Sequence, residues 1–268
     1  MSGQAASGSL ALCFAHPDDE SYSTYGTVAL HAPDERFRLS VLHATDGGAG
    51  GIAAGVTVDP AGLGRQRRGE AAAAWRAVGR IPARDVWLGH DDGQLAAVGH
   101  ERLVGEVAAF LDEERPDVVV TFGPDGITGH PDHVAIGRAT DDAFDRVRRE
   151  GGPGLLRLLH TAIAATPFER HQDIRLARGL PRWDPDITYH LRAVPDEDIG
   201  VLVDTRSVAD AVIAGLKAHV TQRQSLFDPE ADDREWRRYA RREFHVVAWP
   251  SPAPGTPVWA DVFQGLSG

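Results

Sequence analysis

Two short stretches bring together the residue types that metal-assisted hydrolysis needs. Ala15-His16-Pro17-Asp18-Asp19-Glu20 sets an imidazole beside paired carboxylates, and Gly129-His130-Pro131-Asp132-His133 sets two imidazoles three residues apart. Neutral imidazoles with a carboxylate are the ligand set of a catalytic zinc site, which keeps one position open for water. Water on such an ion has its pKa lowered to about 7, and a non-ligating carboxylate within hydrogen-bond reach can take its proton. The first stretch offers two aspartates, so one can bind metal while the other does acid–base work. The same ligand types also occur in non-haem iron oxygenases, which iron-dependent oxygen consumption would reveal.

For the stretches to act as one site, the fold must carry both to one place. Residues 10–14 are an apolar run that reads as a buried strand, and Pro17 suits the first position of a helix over 20–31. Further strands are expected at 37–44, 85–88, 117–122, 155–165 and 201–203, with helices at 66–78, 101–114 and 134–149. Such alternation gives an α/β fold, Rossmann-like and mostly parallel, with helices on both faces of the sheet. Residues 167–200, rich in Pro, Trp and charge, read as an irregular C-terminal lobe around the site. A helix over 208–225, extended by a charged one near 232–243, follows. No linker divides the chain, so 1–268 is expected to be a single domain, with 10–165 its core and 166–268 shaping the pocket.

Ligands of open α/β sheets bind beyond the carboxyl ends of the strands, where the strand order reverses. A 3-2-1-4 order makes the strands at 10–14 and 117–122 neighbours, and His16, Asp18 and Asp19 then face His130 and His133. If Pro131 opens a helix, His130 and His133 are about one turn apart and both can point into the crevice.

Composition narrows the partners. The 268 residues carry 28 Lys+Arg against 39 Asp+Glu, a formal charge of −11, which argues against a general nucleic-acid or anionic-membrane partner. The one cysteine, Cys13, lies in the first strand; it excludes an intrachain disulfide and reads as a small buried hydrophobe. There is no run of about 18 apolar residues and no basic-then-apolar leader, so a soluble cytoplasmic protein is expected. The turn after the first strand lacks G-x-G-x-x-G and carries carboxylates that would repel a pyrophosphate, which disfavours dinucleotide binding. The glycines from Gly47 to Gly51 read as a mobile loop.

Residues 15–20 and 129–133, with Gly26-Thr27, residues 121–126 and Lys217-Ala218-His219-Val220-Thr221-Gln222, resemble the PIG-L/LmbE-like family of zinc-dependent N-acetylglucosaminyl de-N-acetylases. The resemblance implies a hydrolase that removes an N-acetyl or other N-acyl group from an N-acetylglucosamine-type amino-sugar conjugate. It also admits an amidase of a thiol-sugar conjugate or a catalytically inactive metal-binding relative. By that resemblance His16, Asp19 and His133 would bind Zn2+, with Fe2+ fitting the same ligands. Asp18 would be the general base, and His130 would hold the oxyanion or protonate the leaving amine. Arg67 or Arg68 with Glu70, and Asp92, fall where relatives contact or frame the sugar; Arg68, Asp92 and His219 are taken as substrate-binding. The implied partner is a small amino-sugar conjugate, with neither nucleic acid nor membrane insertion, and a homo-oligomer is compatible. Two departures stand out. Thr128 occupies a position where thiol-pathway relatives tend to carry tyrosine, leaving Tyr22, Tyr25 or Tyr189 to supply a phenol. Gly47-Gly48 stand where relatives often have an acidic residue.

Overall fold

The computed structural model describes residues 8–226 and 232–266. The first strand, β1 (Ser9–Phe14), is buried along nearly its whole length, as are β2 (Arg38–Thr45) and β4 (Val118–Phe122). Burial at successive positions, not alternate ones, means that both faces of these strands are covered. β1 pairs in parallel with β2 on one side and with β4 on the other. β3 (Arg84–His90) extends the sheet beyond β2, and β5 (Arg157–Ala162) extends it beyond β4, both in parallel. The strand order is β3-β2-β1-β4-β5-β7-β6, with β6 (Val201–Asp204) and β7 (Arg242–Trp249) at the far edge. β7 runs antiparallel to both its neighbours, so the sheet is mixed though mostly parallel.

Helices α4 (His100–Glu114) and α5 (Pro131–Arg149) pack together over β1 and its neighbours, with the short α3 (Leu95–Val98) against them; α1 (Tyr25–His31), α2 (Leu63–Ala77) and α7 (Ala209–Ala218) form a second group. The core between these layers is built from Leu10, Leu12, Phe14, Leu39, Val41, Val118 and Phe122, each essentially inaccessible. Cys13 is buried among them, and burial pushes its thiol far above the usual range, so it is inert. No helix among the described residues is long and apolar enough to cross a membrane. The order reverses between β1 and β4, and the crevice beyond their carboxyl ends receives both histidine turns.

The structure departs from the sequence expectations in four places. Pro17 does not open a helix: a 3-10 turn (Asp19–Tyr22) follows it, and α1 starts only at Tyr25. The region expected to be irregular contains α6 (Ala165–Ala177), whose apolar residues are scattered round the helix and give no readable stripe. The helix expected over 208–225 breaks at His219, passes through a 3-10 turn (Val220–Gln222) and resumes as the short α8 (Arg223–Leu226). The charged helix ends early, as α9 (Asp233–Tyr239), and the chain turns into β7. β7 was hidden because its buried positions begin with Glu243 and His245, so polar side chains occupy the face that a periodicity reading expects to be apolar.

Candidate metal centre and catalytic cleft

His16 leaves the end of β1, Asp19 opens the 3-10 turn, and His133 lies in the first turn of α5. His16 Nδ1 is 3.2 Å from His133 Nε2 and 3.3 Å from Asp19 Oδ2, and His133 Nε2 is 3.2 Å from Asp19 Oδ1. All three residues are buried. Zinc–ligand bonds of about 2.0–2.1 Å at the tetrahedral angle set neighbouring ligand atoms roughly 3.3 Å apart, so the spacing of these side chains suits a divalent metal. The outer nitrogens agree. His133 Nδ1 lies 3.0 Å from the Gly126 carbonyl, and His16 Nε2 lies 3.0 Å from Asp92 Oδ1 and 3.4 Å from Asp132 Oδ2. The Gly126 carbonyl accepts the His133 Nδ1–H, and the carboxylates beside His16 Nε2 favour its proton there, which leaves the inner lone pairs for metal. A second candidate grouping, His16, His130 and Asp132, fits less well. The Asp132 carboxylate already accepts from the Gly93 and Leu95 amides, and His130 Nδ1 accepts from the Asp132 amide.

The charges of these groups lean on one another. Burial alone would lower the His16 pKa, but Asp19, Asp132 and Asp92 override it and hold the ring well above its usual value. Burial likewise opposes ionisation of Asp19, yet His133 and His16 hold it well below the usual carboxylate range. A proton on His16 thus stands where a divalent cation's charge would act.

Asp18 sits beside this trio in a left-handed conformation, φ 129°, that side-chain-bearing residues rarely adopt. Such backbone costs of order 1–3 kcal/mol and persists where surrounding contacts over-determine it. Arg67 supplies some of them: Nη2 donates to Asp18 Oδ1 at 3.0 Å and to the Pro17 carbonyl at 2.9 Å, and Nη1 donates to the Gly47 carbonyl at 2.8 Å. Burial raises the Asp18 pKa to about 7, with Arg67 pulling against it and Asp19 adding to it. His130 stacks on His133 at 4.7 Å and meets His16 edge-on at 4.8 Å. Its Nδ1 is an acceptor, which leaves the ring hydrogen on Nε2. Burial and then the neighbouring His133 and His16 depress its pKa to about 4, so His130 is a neutral N–H donor near pH 7.

The residues expected to bind substrate take three different positions. Arg68 points outward, over the Trp87 ring at 4.6 Å and 3.8 Å from Asp46, while its neighbour Arg67 is the one buried in the cleft. Asp92 stands behind His16, its Oδ1 3.0 Å from the ring's Nε2, and its Oδ2 accepts from the Ala49 amide. His219 is fully buried against Tyr25, out of reach of a ligand. Glu70 is also turned inward, accepting from the Thr221 amide and hydroxyl. Of the three tyrosines, Tyr189 comes closest to His130, its ring edge-on at 5.1 Å. The glycine loop after β2 is not loose. Gly47 has φ +67°, a Cβ there would run into the Arg67 guanidinium, and Gln222 donates to the Gly51 carbonyl. Asp132 has no role in the sequence expectations, although a carboxylate between two candidate ligands is a readable signal.

The family model described as GlcNAc-PI de-N-acetylase matches residues 11–144, which include both histidine turns. A 1D-myo-inositol 2-acetamido-2-deoxy-alpha-D-glucopyranoside deacetylase from Rhodococcus jostii is 33% identical over 242 residues, covering 80% of this chain and 81% of the relative. The chain belongs to the PIG-L family. Another PIG-L relative with the same description, from Acidothermus cellulolyticus, is 34% identical over 240 residues, covering 80% of this chain and 79% of its own length. Solved structures share the fold at low identity. The N,N'-diacetylchitobiose deacetylase of Pyrococcus horikoshii gives a TM-score of 0.59 at 16% identity, covering 90% of this chain and 84% of its own. The 4-carboxy-2-hydroxymuconate hydratase GalB of Pseudomonas putida gives 0.60 at 15%, covering 92% and 98%. One fold thus carries two chemistries, so function has to be argued from the site and the sequence relatives.

Proposed function

We propose that this PIG-L protein hydrolyses the acetamide of an N-acetylglucosamine-type amino-sugar conjugate. The observation that carries the reading is the meeting of His16 Nδ1, His133 Nε2 and Asp19 at 3.2–3.3 Å with the Asp18 carboxylate buried beside them. The sequence relatives, described as deacetylases of such a sugar, support it. His16, Asp19 and His133 would hold the metal, and two imidazoles with one carboxylate favour zinc, with Fe2+ compatible. Lewis acidity toward the acetamide carbonyl and toward a water is what a divalent metal supplies here when bound.

The chain's own groups account for the rest. Asp18 takes the proton of the attacking water as its oxygen bonds to the acyl carbon, and Arg67 keeps the carboxylate aimed while it is charged. His130 Nε2–H donates to the oxygen that gains negative charge, a role that needs a neutral imidazole and no proton transfer. As the carbon–nitrogen bond breaks, the proton held by Asp18 passes to the amine, giving acetate and a free amino sugar. The Tyr189 ring, beside His130 and exposed, offers a face for the sugar.

The test is amine release from N-acetylglucosamine and its glycosides by protein stripped with chelator and then reloaded with Zn2+ or Fe2+. The reading expects release from reloaded protein and none from stripped protein. Equal release from both would overturn it.

A further inference from the structure

Glu20 follows the Asp18–Asp19 pair, yet it is neither the proposed base nor a proposed ligand. Its carboxylate is the meeting point of donors from three elements. Oε2 accepts from the Asp18 amide at 3.0 Å and from His43 Nε2 at 3.2 Å, and Oε1 accepts from the Tyr25 hydroxyl at 3.2 Å. His43 is on β2, stacked on Trp87 at 4.4 Å. Tyr25 opens α1, and its hydroxyl also lies 2.7 Å from Nε2 of His219, the residue that ends α7. Glu20, Tyr25, His43 and His219 are each 0% exposed, so none of them can touch a ligand.

His43 Nδ1 and His219 Nδ1 have no hydrogen-bond partner, but the bonds to the Glu20 carboxylate are made, and a buried acceptor with its donors in place fixes one geometry. What this one fixes is the Asp18 amide. Asp18 has a left-handed backbone, and its buried N–H would lack an acceptor without Glu20. Arg67 secures the carboxylate end of the same residue. Asp18 is therefore clamped at both ends, with Glu20 holding the end that sets its backbone.

We propose that Glu20 is a positioning residue for the base: as an acceptor tied to β2, α1 and α7, it keeps Asp18 in the strained conformation that aims its carboxylate into the cleft. This rests on Asp18 being the base. It makes the acceptor oxygen at Glu20, not its charge, the feature that matters. Glutamine keeps an oxygen for the Asp18 amide and can donate to Tyr25, whose hydroxyl then donates to His219. Methionine has similar length and no such acceptor.

The experiment compares Glu20→Gln, Glu20→Met and Tyr25→Phe in zinc-loaded protein. Metal content, melting temperature, kcat and KM for N-acetylglucosamine, and amide exchange of the peptide containing Asp18 are measured. Glu20→Gln should stay within about threefold of the parent kcat. Glu20→Met should keep its metal and its KM but lose at least about tenfold in kcat, the scale expected of a misplaced catalytic group. Exchange at Asp18 should quicken at least about tenfold in Glu20→Met alone. The proposal is overturned if Glu20→Met keeps its kcat, if its loss only tracks lost metal, or if Glu20→Gln falls as far. Should Glu20→Met not fold, Tyr25→Phe decides. A loss of about two- to fivefold in kcat at full metal content, with Glu20→Gln near parent, supports the clamp; an unchanged Tyr25→Phe with Glu20→Gln down tenfold overturns it. The exchange readout does not depend on turnover. Were Asp18 not the base, activity would survive Asp18→Asn while the exchange effect remained.

Discussion

Arg67 Nη2 lies 3.0 Å from Asp18 Oδ1 and bonds the backbone of the preceding residue at the same time. Arg68, one position on, stands at the surface over Trp87. The two arginines should separate cleanly. Arg67→Gln should lower kcat/KM about 100-fold, ~2.7 kcal/mol of transition-state stabilisation. Arg68→Gln should change it less than about twofold, since exposed ion pairs contribute little. Steady-state kinetics on one substrate checks both, and equal losses would contradict the assignment.

The same guanidinium explains the glycine loop. Gly47 needs its positive φ and has no room for a methyl group, whereas a Cβ at Gly51 would stand 3.6 Å from Gln224 Nε2, an ordinary contact. Gly47→Ala should therefore cost roughly 1–3 kcal/mol of stability and lower kcat by displacing Arg67, while Gly51→Ala should be near neutral. Denaturant melts and kinetics on the pair test this.

The raised Asp18 pKa makes a statement about stability without metal. Its folded value, about 7, lies above the ordinary 3.8, so folding favours the protonated form. That contribution is complete below the ordinary value and is lost as pH rises through about 7. Asp18→Asn mimics the protonated form. Stripped of metal, it should melt above the stripped parent at pH 8, with the gap closing below pH 4. A gap independent of pH would contradict the shift.

His245 on β7 is fully buried, neither ring nitrogen has a hydrogen-bond partner, and burial lowers its pKa to about 3. A histidine kept neutral in the fold takes its proton first in the unfolded chain, so stability falls as pH drops below its ordinary value of 6.5. Between that value and pH 5 the loss approaches about 2 kcal/mol. His245→Leu should abolish that share of the acid sensitivity, read as a smaller difference in melting temperature between pH 7.5 and pH 5.

Much of the architecture could be read in the sequence because it rests on runs that burial makes conspicuous. Residues 10–14 are apolar throughout, 118–122 are apolar but for Thr121, and a histidine turn follows each, which is enough to place β1 beside β4. The direction in which side chains point is not legible in the same way. Arg67 and Arg68 are adjacent on α2, and periodicity among its alanines does not say which faces the cleft. Asp92 and His219 were near the site in sequence pattern, yet the structure turns both toward protein groups, behind His16 and behind Glu20. β7 and the Glu20 network were hidden for a shared reason. Polar side chains that the fold buries look, in sequence, like surface.

The central claim is that one aspartate of the first turn serves metal and its neighbour serves the proton. Metal content and acetate release measured on the same sample of Asp18→Asn test it most directly. The account predicts one equivalent of divalent metal per chain with acetate release lowered about a thousandfold. Release near the parent rate, or loss of metal in step with loss of activity, would contradict it.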